Sequence, residues 1–173
     1  LNVVTKVNGF LGVCTYVSKM NEVLYSTTGS LVSDFAKMNK KHTEKHEKMS
    51  KDYPDVTFCF EVCDENDPHI IKESIGEVLI GMIDVKTGFQ YPENKLDEIA
   101  KNYNVTRPET FKGVTYSEFK EMLNKTQTEG FMVFDENDNL LFKAKSPYYL
   151  INKLFARGTD VIEKLNSKTN NAY

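Results

Sequence analysis

Apolar and polar positions alternate from Val56 to Cys63, and nearly every residue there is a good β-former. A period of two predicts a strand with one buried face, with Glu61 pointing away from Phe60 and Val62. Glu77 to Val85 is more continuously apolar and predicts a second strand. Val3 to Val17 reads as a strand broken at Asn8-Gly9, with Glu22 to Tyr25 as its partner. Phe131 to Phe134 and Leu140 to Ala144 predict a hairpin across Asp135-Glu136-Asn137-Asp138-Asn139. That acidic turn resembles half a calcium loop but lacks its glycine and closing glutamate. Helical patterns cover Leu31 to about Asp52, Lys95 to Tyr103 and Ser117 to Lys125, with Asn104 to Thr115 as a connection. Ser146-Pro147 opens a further helix, with proline in its first turn. Asp64 to Pro68 reads as an acidic loop and Asn170 to Tyr173 as a frayed end. The expected class is α+β, antiparallel β-sheets flanked by helices.

The 173 residues suffice for one domain with a sizeable core. No apolar run approaches the roughly 18 residues a membrane span needs. With 22 Lys+Arg against 25 Asp+Glu, the net charge of −3 offers no global attraction for nucleic acid. A basic stretch does exist: Lys37, Lys40, Lys41, Lys45, Lys48 and Lys51 crowd one predicted helix, where Lys37, Lys41, Lys45 and Lys48 fall on one side. A solvated face and an RNA-backbone contact explain it equally well. His42 and His46 on the same helix have a metal-compatible spacing, but His-Thr-Glu-Lys-His is not a metalloprotease motif, so a solvated face is expected. Three cysteines make no disulfide framework, and reduced thiols in a cytoplasmic setting are expected.

The candidate chemistry lies in an ordered set of short patterns. Thr5-Lys6-Val7-Asn8-Gly9 comes first, then Phe60-Glu61-Val62, then Glu129-Gly130-Phe131-Met132-Val133, then Lys143-Ala144-Lys145. Taken singly, Lys6 is a surface lysine beside a turn, Glu61 a solvent-facing sheet residue and Glu129 a loop end. As a set they offer an amine nucleophile, two carboxylates and a pair of fixed cations. A free lysine is only about 0.04 % unprotonated at neutral pH, so attack requires nearby positive charge or desolvation. Lys143 and Lys145, two apart on a strand, can face one phosphate.

In this order the patterns resemble the covalent nucleotidyltransferase superfamily of RNA ligases, DNA ligases and mRNA capping enzymes. Within it, Ser26 to Ser30, the apolar strand Val78 to Ile83, and the Lys-Ser-x-x-Tyr of Lys145 to Tyr149 are most similar to the RNA ligase 1 (tRNA-repair) class of T-even bacteriophages. The resemblance implies a nucleotidyltransferase catalytic domain over 1–173 and ATP-dependent RNA end joining with magnesium. Lys6 would carry AMP and Glu61 would contact the ribose. Glu129 would hold the metal, Lys143 and Lys145 would grip the α-phosphate, and the Val7 amide would meet the adenine, which lies against Leu79 to Ile83. The implied partner is RNA with 5′-phosphate and 3′-hydroxyl ends, a tRNA among the candidates. A monomer is expected, with no membrane, in the cytoplasm of a host cell if the protein is viral.

Two departures stand out. The family usually has aspartate where Asn8 stands, and Ser26 and Thr28 replace its basic residues. Leu1 in place of methionine, with a motif five residues in, leads us to expect a fragment lacking upstream and C-terminal segments. Other readings stay open: a capping enzyme, a DNA ligase, or a non-catalytic nucleotide- or RNA-binding module that would bind ATP without retaining it on denaturation.

Overall fold

The computed structural model describes residues 1–170, so Asn171 to Tyr173 of the expected frayed end lie outside the described residues. The chain gathers into two compact units. One comprises Leu1–Lys6, His69–Lys72 and Thr110 onward, the other Val7–Pro68 and Glu73–Glu109.

The first unit is built on a four-stranded antiparallel sheet, in which β6 (Thr110–Phe111), β1 (Asn2–Lys6), β7 (Gly130–Phe134) and β8 (Leu140–Lys145) lie side by side in that order. One face of the sheet carries Val3, Phe131 and Val133, which are buried with Val114 and with Phe119 of helix α4 (Tyr116–Lys125). Helix α4 starts with a full capping box, the Thr115 hydroxyl on the Glu118 N–H and the Glu118 carboxylate on the Thr115 N–H. The β7–β8 turn is closed by the Asp135 carboxylate, which accepts from the N–H groups of Asn137 and Asn139 at 2.8 and 2.9 Å. Helix α5 (Pro147–Asn170) follows. Ser146, fully buried, caps it by accepting from the Tyr149 N–H at 3.0 Å and donates to the Thr128 carbonyl at 2.6 Å.

The second unit holds another four-stranded antiparallel sheet, ordered β3 (Glu22–Ser26), β2 (Phe10–Val17), β4 (Val56–Cys63), β5 (Gly76–Asp84). Phe58, Phe60 and Val62 alternate inward as their spacing predicts. They pack with Leu79 and Met82 of β5, and with Leu96, Ile99 and Ala100 of helix α3 (Glu93–Tyr103). Helix α1 (Asp34–Thr43) is riveted to the sheet by Asn39. Its amide nitrogen donates to the Val13 and Ser26 carbonyls at 3.1 and 3.0 Å. Gly12 makes room for it, since a Cβ there would stand 2.2 Å from Asn39 Oδ1.

The α+β class with antiparallel sheets and flanking helices is as expected, but three local expectations change. The strand broken at Asn8-Gly9 becomes β1 and β2, which join different sheets. The connection between Asn104 and Thr115 contains β6, paired with Val3 and Val4. The helix predicted over Leu31 to Asp52 starts at Asp34, capped by Ser33, and breaks into a 3-10 turn at Glu44–His46 before α2 (Glu47–Asp52). Buried Thr43 supplies the cause, because its hydroxyl donates back to the Asn39 carbonyl at 2.7 Å, a contact that bends helices. No helix among the described residues is long and apolar enough to cross a membrane.

Candidate active site

In the first unit, strand register sets out the candidate lysines. Lys6 pairs with Gly130, and Gly130 with Lys145; two residues along, Met132 pairs with Lys143. Directly opposed residues share a face of a sheet, as do residues two apart. Lys6, Lys143 and Lys145 therefore all project from one face, opposite to the one packed on Phe119. Between Lys6 and Lys145 lies Gly130, with φ at +150°, where a Cβ would stand 1.9 Å from the Ala144 carbonyl oxygen. Only glycine fits there.

Glu129, 8 % exposed, lies next to this row, and its Oε1 accepts from Lys6 Nζ at 2.9 Å. In this arrangement Lys6 donates to a carboxylate, so it must give up that contact before it can act as a nucleophile. Glu129 is fixed through its backbone, because its carbonyl accepts from the Ser146 N–H at 2.8 Å. Lys145 lies over the Tyr149 ring at 5.6 Å, a cation–π contact that restrains its long side chain. The Lys-Ser-x-x-Tyr pattern thus has a local meaning: cation, helix cap and aromatic support.

Val7 and Glu61 belong to the second unit. Glu61 points away from the core, as its alternation predicts, and accepts from the Gly9 N–H at 3.2 Å. A Cβ on Gly9 would lie 2.3 Å from the Val62 carbonyl oxygen, so the glycine lets the turn lie flat on β4. In β5, Leu79 and Met82 are fully committed to the core. Val78, Ile80, Gly81 and Ile83 are partly exposed, as are Gly76, Glu77 and Asp84 at the two ends of that strand.

The histidines are not on a solvated face. His42 Nε2 is 2.6 Å from Asp64 Oδ2 and His46 Nε2 is 2.8 Å from Glu77 Oε1, with both rings about one-tenth exposed. His46 also stacks on Phe60, with centroids 5.6 Å apart. Lys41 and Lys45 join the same two carboxylates at 3.4 and 2.7 Å, and Lys48 turns to Asp52 at 2.8 Å. With Lys51 also paired to Glu47 at 3.8 Å, four of the six lysines of the basic stretch form ion pairs within the fold. The partners lie 22 and 31 residues from the histidines, so no local pattern could reveal them.

The Asn66 N–H and the His42 ring hold the Asp64 carboxyl below the ordinary carboxylate range. Burial raises that of Glu77, but hydrogen bonds from His46 and Lys45 outweigh it and leave it lowered. Carboxyls depressed in the folded state stabilise it above their unfolded values, and that contribution disappears as pH falls through the folded ones. The urea midpoint should therefore drop below about pH 4, and Asp64→Asn with Glu77→Gln should flatten that fall. An identical acid slope in the double variant would place the sensitivity elsewhere.

Among the described residues, no group of three or more His, Cys, Asp or Glu side chains could hold a metal ion by itself. Magnesium, however, is commonly bound by one or two carboxylates together with substrate phosphates and water, and Glu129 fits such a share.

The fold is similar to that of solved ligases. An archaeal ATP-dependent RNA ligase superposes with a TM-score of 0.71 at 19 % identity, covering 86 % of this chain and 43 % of that one. A Naegleria gruberi RNA ligase with PPi gives a TM-score of 0.65 at 12 % identity, covering 86 % and 50 %. The chain thus spans about half the length of these proteins, and at such identities the likeness establishes the fold. No curated protein is similar enough in sequence to match. A family model described as RNA ligase matches residues 1–149, a span holding both sheets, Lys6, Glu61, Glu129 and the lysine pair, and on that match the chain belongs to the RNA ligase family.

Proposed function

We propose that this chain is the adenylyltransferase core of an ATP-dependent RNA ligase, of the RNA ligase 1 class of T-even bacteriophages, with Lys6 as the residue that carries AMP. The observation that carries the reading is the convergence of Lys6, Lys143 and Lys145 on one sheet face, with Glu129 at 2.9 Å from Lys6. Lys6 leaves Glu129, loses a proton to solvent, and forms an N–P bond to the α-phosphorus of ATP. The bond to the β-phosphate breaks, and pyrophosphate departs with the electron pair. An RNA 5′-phosphate then takes AMP from Lys6. Finally a 3′-hydroxyl attacks that 5′-phosphate and AMP leaves, which joins the ends.

In this sequence the ammonium groups of Lys143 and Lys145 stabilise negative charge building on the α-phosphate. Glu129 holds magnesium, which supplies charge neutralisation at the phosphates when bound. Glu61 contacts the ribose and the Val7 amide the adenine. The ring lies against the stretch from Leu79 to Ile83 of β5, at its partly exposed positions, because Leu79 and Met82 are enclosed in the core. The reading carries with it RNA with 5′-phosphate and 3′-hydroxyl ends as substrate, tRNA among the candidates. It also implies a monomer and a cytoplasmic setting, that of the host if the protein is viral.

The experiment is intact-mass measurement after incubation with ATP and magnesium, where an acid-labile, base-stable gain of one AMP is expected. A chain that binds ATP but never retains it on denaturation would favour the binding-module reading instead. GTP labelling in competition would indicate a capping enzyme. Glu129→Gln should weaken the dependence on magnesium and slow labelling by several kcal/mol of activation free energy, on the order of 100-fold or more. Lys143→Met or Lys145→Met should slow labelling more than it weakens ATP binding. Equal losses in both would mean that the pair only holds the nucleotide.

A further inference from the structure

Two successive peptide N–H groups end on carboxylates immediately after Lys6 and Val7. Asn8 N–H donates to Glu73 Oε1 at 3.1 Å, and Gly9 N–H donates to Glu61 Oε1 at 3.2 Å. Consecutive amides of this kind commonly make an anion-binding concavity. Here the chain supplies both anions itself, and bonds to ionised acceptors are the stronger sort. A trans peptide is planar, so holding the Asn8 N–H also sets the Val7 carbonyl across the same plane. Holding the Gly9 N–H likewise sets the Asn8 carbonyl, which accepts from the Cys63 thiol at 3.9 Å. Glu61 comes from β4. Glu73 comes from the connection between β4 and β5, which starts at Asp64 and leads into Glu77 of β5, the carboxylates held by His42 and His46. The chemistry described for Lys6 makes no use of Glu73.

We infer that Glu73 is a positioning residue for the nucleotide: it holds the Asn8 peptide so that the turn after Lys6 is already formed when ATP arrives. The inference rests on the reading of Lys6 as the AMP carrier and Val7 as an adenine contact. It also gives the amide side chain at position 8 a physical reason. The Glu73 carboxylate already accepts from this residue's own backbone N–H, so a carboxylate side chain at position 8 would bring a second negative charge to the same residue, and neighbouring like charges weaken each other's ionised form.

The test uses the full chain and three readings: hydrogen exchange at the Asn8 amide without nucleotide, ATP affinity, and the rate of AMP labelling. Glu73→Ala should speed exchange at Asn8 by about tenfold or more. It should also weaken ATP binding and slow labelling by about tenfold each. Glu73→Gln, whose side-chain carbonyl still accepts from an N–H, should stay within about threefold of the parent. Asn8→Asp should slow labelling, and Glu73→Gln should recover most of that loss in the double variant, a coupling that general loss of structure would not produce. Unchanged exchange at Asn8 in Glu73→Ala overturns the assignment, and so does an Asn8→Asp defect that Glu73→Gln leaves untouched. If the parent chain takes up no AMP, the lysine-adenylation reading fails, and the exchange and ATP-affinity readings still decide the role of Glu73.

Discussion

Lys6→Ala should abolish AMP labelling, lowering it by at least about 1,000-fold, because no other residue replaces a nucleophile that forms the covalent bond. Lys6→Arg should be equally inactive. Its guanidinium can still pair with Glu129 but stays protonated and cannot attack. Together the two variants separate the lost nucleophile from the lost partner of a carboxylate that is 8 % exposed. ATP binding should persist in the arginine variant, and its urea midpoint should stay close to the parent. An adduct of undiminished yield in Lys6→Ala would move the nucleophile to another lysine and remove the central residue of the proposed function.

Gly130→Ala should be the most damaging single methyl in the chain. Position 130 combines φ at +150° with a Cβ that would lie 1.9 Å from the Ala144 carbonyl oxygen. Backbone strain and overpacking together should cost about 3–5 kcal/mol, and they act where β1, β7 and β8 are paired. Urea denaturation measures the loss directly. Where the variant still folds, the Lys145–Gly130 pairing should open, so labelling should fall further than global stability alone explains. A midpoint within about 0.5 kcal/mol of the parent would show that β8 can shift away at little cost.

Much of this arrangement could be read from residue order. The alternation of β4, the β7–β8 hairpin and the proline-started α5 all follow from local periods and caps, which act over a few residues. The lysine pair on β8 shares a face for the same reason. Pairing partners are a different matter, because a period of two tells which side a residue faces and not which strand lies beside it. So β1 and β2 read as one interrupted strand, although they belong to separate sheets. The two-residue β6 is a strand only because β1 is there to pair with it. His42 and His46 looked solvated because Asp64 and Glu77, which enclose them, arrive from distant sequence. Glu73 shows no local signal, since its partner is a backbone amide 65 residues away.

The contact between Gly12 and Asn39 has a consequence for how this sequence can drift. With 2.2 Å between a hypothetical Cβ at 12 and Asn39 Oδ1, neither position can change first without harm. A methyl at 12 displaces the amide, and a smaller residue at 39 strands the Val13 and Ser26 carbonyls that it serves. Relatives that carry a side chain at position 12 should therefore lack the asparagine and seat their first helix farther from the sheet. The pair should change together, a two-letter signature by which lineages with this close helix crossing can be told from those without it.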